Sequence, residues 1–147
     1  MRIYPALVVR GAALHEMYQR GEYKPWSLDR TVNALKIAVN RFEAAGIPVI
    51  RLGLHPEPSL LAHMVAGPHH PALRSLVDSR IGFDALSDLL SRQGVLPERV
   101  TFNVPLRKLS NYTGHRKENI LMLKERFAIK ELVFTQTADL AAPELVI

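Results

Sequence analysis

The sequence has no cysteine at any of its 147 positions. That excludes disulfides, and any thiolate-ligated zinc or iron–sulfur centre built from this chain's own side chains. A reducing, cytoplasmic setting is the default expectation for such a composition. No apolar run approaches the roughly 20 residues that a membrane-spanning helix needs, so no membrane partner is expected of these residues. The opening stretch MRIYPALVVRG has a short apolar part that alternates like a strand, unlike a signal peptide. There is no Walker loop, no dinucleotide fingerprint and no nucleophile–base pair; Ser87 and the other serines have no base arranged nearby. Repeats and low-complexity segments are absent as well. A self-contained enzyme is therefore not expected.

What is present is an ordinary globular balance, 48% hydrophobic and 22% charged, enough for one domain or two very small ones. The net charge is +5, and it is unevenly placed. Residues 101–132 hold Arg107, Lys108, Arg116, Lys117, Lys124, Arg126 and Lys130 against Glu118, Glu125 and Glu131, most of the chain's excess. A polyanionic partner would bind at this end; a solvated, lysine-rich surface is the plainer alternative.

The periodicity predicts an α/β (α+β) chain. RIYPALVV, Arg2–Val9, reads as one buried strand, and AALHEMYQRGEY as a short helix closed by Gly21. Tyr23, Pro25 and Trp26 form an aromatic connector. Ser27 is a good N-cap, with Asp29 in the first turn. Leu28, Val32, Leu35, Val39 and Phe42 then step by four and three, the stripe of an amphipathic helix ended by Gly46. IPVIRLGL, Ile47–Leu54, reads as the next strand, which gives a parallel strand–helix–strand unit. After the break at HPEPS, the segment from Leu60 to Gly94 reads as helical, interrupted at Gly67–Pro71, with Ala72–Ser79 and Phe83–Gln93 as separate pieces. In the last third, ERVTFNV is a strand and Pro105 opens a helix. TGHR is a turn, KENILMLKERF a helix with Ile120, Leu123 and Phe127 on one face, and KELVFTQT a strand. The division falls near Arg92–Glu98, giving residues 1–95 and 96–147 as two parts.

Three constellations could carry chemistry. Within NYTGHRKENILMLKERF, the run Gly114-His115-Arg116-Lys117-Glu118-Asn119-Ile120 resembles the Gly-x-x-Gly-x-x-Ile loop of KH-type RNA-binding modules, with Lys117 in place of the second glycine. A residue without Cβ permits close backbone approach to a sugar–phosphate chain, and the following helix start offers free N–H groups. Lys108, Gly114, His115, Arg116, Lys117 and Lys124 are the expected RNA contacts, against a structural turn with a basic face. His69 and His70, in a loop shaped by Gly67, Pro68 and Pro71, suit a pocket wall or a satisfied loop; a metal site is not expected, because carboxylates nearby are few. Arg51 interrupts an apolar strand, and either faces a ligand or snorkels from a sheet edge.

A family resemblance adds to this. Arg2-Ile3-Tyr4-Pro5, followed by Gly11, Leu14, Tyr18, Gly21 and Tyr23, is similar to the segment after the catalytic core in radical S-adenosylmethionine (radical SAM) proteins related to the elongator catalytic subunit. VIRLGLHP (Val49–Pro56) and VAGPHHPALRSLVDSR (Val65–Arg80) resemble the family's next two segments. In bacterial members without an acetyltransferase domain, a basic tail like residues 109–127 follows. The resemblance implies a C-terminal fragment, with Met1 at a truncation point and the N-terminal radical SAM barrel missing. It implies that residues 1–95 complete a partial (β/α) barrel, with Arg51, His69 and His70 on its substrate side. The parent would use a [4Fe–4S] cluster and S-adenosylmethionine, neither held by this fragment. Transfer RNA is the substrate class of elongator-type members. A small molecule such as a tetrapyrrole, and a protein-docking role, are the alternatives. A barrel strand without its neighbours exposes an edge, so a homodimer through RIYPALVV is also expected.

Overall fold

The computed structural model describes residues 1–55 and 57–147; Pro56, inside the VIRLGLHP motif, lies outside them. The chain is mixed α and β and divides into two compact units, Met1–Val77 and Asp78–Ile147. The division falls within a long helix, whereas the sequence patterning changes in the loop that follows it.

In the first unit, Arg2–Ile3 (β1) pairs in parallel with Arg51–Leu52 (β3), and Val8–Val9 (β2) pairs antiparallel with Met64–Ala66 (β4). The expected strand over Arg2–Val9 is thus two short strands with different partners. Pro5 lies between them; its fixed φ and missing N–H cannot continue a ladder. The strand expected over Ile47–Leu54 is shortened in the same way. Pro48 has no donor and Gly53 turns away at φ 77°, although Ile50 N–H still donates to Met1 O and Gly53 N–H to Ile3 O. The parallel strand–helix–strand unit is nonetheless present. Its helix, Leu28–Ala44 (α2), is capped as anticipated: Ser27 Oγ accepts from Arg30 N–H at 3.2 Å. Val32, Leu35 and Val39 of α2 are buried with Val8, Val49, Leu52, Leu73 and Val77 as the core of this unit. Ala13–Gln19 (α1) buries no residue.

The stretch after HPEPS departs from the helical expectation. Pro58–His63 (α3) is a helix, but Met64–Ala66 forms β4, because β2 offers an edge that local propensity does not register. The two expected helices at 72–79 and 83–93 are one continuous helix, Leu73–Ser91 (α4). The break expected before Phe83 does not occur. Gly82 sits inside α4, where the Asn111 carbonyl oxygen lies 2.3 Å from the place a Cβ would take. This glycine marks a close backbone approach and not an end to the helix.

The second unit is a three-stranded sheet in the order β6–β5–β7. Arg99–Pro105 (β5) runs parallel to Glu131–Thr137 (β6) in register from Arg99↔Glu131 to Pro105↔Thr137, and antiparallel to Glu144–Val146 (β7). Pro105 therefore ends a strand; it does not open a helix. The chain turns at Arg107, φ 67°, before Leu109–Thr113 (α5). A short 3-10 turn, His115–Lys117, leads into Glu118–Phe127 (α6). The order strand–helix–turn–helix–strand matches the sequence reading. Val100, Phe102 and Val104 of β5 are fully buried and pack with Phe83, Leu86 and Leu90 of α4, Tyr112 of α5, and Leu123 and Ile129. Phe102 stacks on Phe134 of β6 with centroids 5.8 Å apart. The sheets are small, and the described residues form no barrel.

Candidate nucleic-acid interface

Asn119 organises the basic loop from beneath. It is buried in the first turn of α6, and its side-chain amide donates to Ser79 O at 2.9 Å, Tyr112 O at 3.1 Å and, more weakly, Asn111 O at 3.4 Å. These carbonyls belong to α4 and α5, so one side chain ties three helices of the second unit together. Gly114 makes room for it. With φ 78° and ψ 169°, an added Cβ would lie 2.8 Å from Asn119 Cγ and 2.9 Å from its backbone nitrogen. The absence of a side chain at Gly114 is thus required inside the protein, whatever approaches from outside.

Above this anchor, His115, Arg116 and Lys117 are all exposed. Arg116 (φ 49°, ψ 29°) and Lys117 (φ 64°, ψ 23°) both stand in the left-handed region. Two successive non-glycine residues there cost on the order of 1 kcal/mol each. Lys117 occupies the position where a Gly-x-x-Gly loop has its second glycine, and it adopts a glycine-like backbone while keeping its charge. Among the described residues, neither Arg116 nor Lys117 has an ion-pair partner. No side-chain cap hydrogen bond is formed at the start of α6; Glu118 N–H donates to His115 O, and Glu118 places an acid in the first turn beside the two cations. Lys108 is exposed at the start of α5, its N–H bonded to Pro105 O. Lys124, half-buried, lies two turns along α6. Lys130 is paired with Glu98 and Arg99 with Glu131.

The other candidate residues lie in the first unit. Arg51 is exposed on β3, in register with Arg2, which is also exposed. His69 and His70 line a small cleft with Pro5, Gly53, Leu54 and Pro68; Arg51 does not line it. His70 Nδ1 accepts from Ala72 N–H at 3.1 Å, while His69 Nε2 is buried without a hydrogen-bond partner. Among the described residues, no three His, Asp or Glu side chains converge as a metal site. A [4Fe–4S] cluster needs thiolates, and this chain supplies none, so its residues do not fit that group. No helix among the described residues is long and apolar enough to cross a membrane. Sequence reasoning missed Asn119, whose place on the buried side of an amphipathic helix was the available signal. It also missed a cavity of about 350 Å³ walled by Tyr4, Tyr23, Trp26 and Pro68.

Residues 1–82 match the family described as Radical_SAM C-terminal domain, and the chain belongs to that family. Among characterised proteins, it is similar to the tRNA uridine(34) acetyltransferase of Methanocaldococcus jannaschii. The two are 42% identical over 38 residues, which is 26% of this chain and 7% of that protein. The chain thus spans a small part of that relative's length. No solved structure matches the chain.

Proposed function

We propose that this chain is a substrate-handling part of a radical SAM enzyme, and that the substrate it handles is RNA. The observation that carries the reading is the exposed, unpaired Arg116–Lys117 pair, held in a costly left-handed backbone directly ahead of an uncapped helix start. Strain of this kind persists where the surroundings over-determine it, often at binding sites. The similarity to a tRNA uridine(34) acetyltransferase favours transfer RNA as the class. In this reading, residues 1–95 extend a radical SAM barrel and residues 96–147 form a basic, KH-like module. His115, Arg116, Lys117, Lys108 and Lys124 meet phosphates. Gly114 sets the loop, and Arg51, His69 and His70 face the substrate side of the barrel. The iron–sulfur cluster and S-adenosylmethionine belong to a catalytic domain elsewhere, in the cytoplasm, and no step of that chemistry runs through this chain's residues.

The test is binding of total transfer RNA and of double-stranded DNA at several salt concentrations, with the double variant Arg116→Glu/Lys117→Glu alongside. The reading expects salt-sensitive binding that prefers RNA, lost in the variant with no fall in melting temperature. Unchanged RNA affinity in the variant would overturn it.

The first-unit cavity favours a second reading, in which the parent enzyme acts on a small molecule and the basic loop is structural. A tetrapyrrole or similar metabolite should then raise the melting temperature of the chain, and no rise across a metabolite panel would remove this alternative.

A further inference from the structure

The connector YKPW and the motif Tyr4-Pro5 are far apart in sequence, yet they line one cavity. Tyr4, Tyr23 and Trp26 wall a cavity of about 350 Å³ together with Pro5, Pro68 and Leu35 of α2. Three aromatic rings and two prolines make a slot for a flat, apolar-faced group. Of the three hydroxyl-bearing residues in its wall, Thr31 donates its Oγ1 hydroxyl to Ser27 O at 2.9 Å and so is already engaged, which leaves the phenol groups of Tyr4 and Tyr23. The slot therefore offers chiefly faces for stacking.

Cations lie beside two of its rings: Lys24 follows Tyr23 in the chain, and the Arg30 guanidinium lies 4.4 Å from the Trp26 ring centroid. The nearest acid in sequence on the connector side, Glu22, is held by two hydrogen bonds from Arg20, at 2.7 and 2.9 Å. Tyr4 and Trp26 remain 44% and 46% exposed, so the rings can be reached from solvent. Aromatic faces interleaved with unpaired cations are the composition that binds unstacked nucleotides: the base stacks and the phosphate meets the cation.

We propose that this cavity is a stacking pocket for one unpaired nucleobase of RNA, held between Tyr4, Tyr23 and Trp26, with its phosphate met by Lys24 and Arg30. The proposal rests on the RNA reading above and names a base-binding site in the first unit that the phosphate-binding loop does not supply. Because the wall is mostly apolar and aromatic, stacking dominates and the pocket discriminates weakly among bases.

Trp26 is the chain's single tryptophan, so its fluorescence reports this site alone. The chain is titrated with an oligouridylate octamer and with an abasic ribose–phosphate strand of equal length, and binding of each is followed independently by anisotropy of a label on the strand. Uridine monophosphate and ribose 5-phosphate are titrated in parallel. The expected result is Trp26 quenching by the base-bearing strand and the nucleotide, with none from the abasic strand or the sugar phosphate. Ala34→Phe, which fills the cavity, and Trp26→Leu should each weaken the octamer about tenfold and leave the abasic strand unchanged. Quenching by both strands alike, or strand binding with no Trp26 response, overturns the pocket and leaves the RNA reading standing. If neither strand binds, the RNA reading fails; quenching by the nucleotide alone then still supports the pocket, and its absence overturns it.

Discussion

Asn119, Gly114 and Lys117 form a chain of cause that runs from the protein interior to its surface. The Asn119 amide needs the Gly114 backbone against it, and the resulting turn forces Arg116 and Lys117 into the left-handed region. Gly114→Ala should destabilise the second unit by about 1–3 kcal/mol, from both the positive φ and the approach to the Asn119 nitrogen. Lys117→Gly should stabilise it by about 1 kcal/mol, because glycine adopts φ 64° freely. Urea denaturation measures both. Under the RNA reading, Lys117→Gly also weakens RNA binding, so stability and affinity move in opposite directions. Tyr112 supplies a pH signature. Burial pushes its phenol above the ordinary tyrosine value, so the folded state favours the protonated ring. That contribution is fully present below about pH 10 and is lost as pH rises beyond it. Melting of the wild type should therefore fall more steeply above pH 10 than melting of Tyr112→Phe.

At the scale of elements, α4 and the strands around Pro5 show where local signals mislead. Glycine inside a helix costs roughly 1 kcal/mol relative to alanine, and Gly82 falls in the gap between the two helical pieces that the sequence suggests. In the folded chain, the Asn111 carbonyl occupies the space a methyl would need. Gly82→Ala should accordingly lower stability despite its better helix propensity, and thermal melting checks the sign: a more stable variant would mean that α5 does not press on α4 at this point. The capping of α2 by Ser27 is the opposite case, in which a short-range hydrogen bond is legible because both partners lie within four residues.

At the scale of the whole molecule, the charge surplus of residues 101–132 is thinned by pairing. Lys130 is held by Glu98, while among the described residues Arg116 and Lys117 have no ion-pair partner. A single strand meeting about four of these cations should show a slope of log affinity against log salt near −3, and the Arg116→Glu/Lys117→Glu variant should flatten it. A titration over a fourfold salt range is enough to see the difference. A homodimer through the short β1 edge is a separate proposal; a monomeric mass by light scattering would remove it.

The sequence by itself determined the family, the mixed α and β class, the stripe and cap of α2, and the strand–helix–turn–helix–strand order of the last third. These follow from repeats of 2 and 3.6 residues, from caps and turns closed within a few positions, and from motifs that survive as contiguous strings. Tertiary structure alone decided which backbone groups met. It split Arg2–Val9 between two partners, drew Met64–Ala66 into a strand, fused two helices across Gly82, set Asn119 beneath Gly114, and brought Tyr4 and Trp26 to the wall of one cavity. Each of these depends on a contact between residues distant in the chain, whose free energy exceeds the roughly 1 kcal/mol of local preference that it overrides.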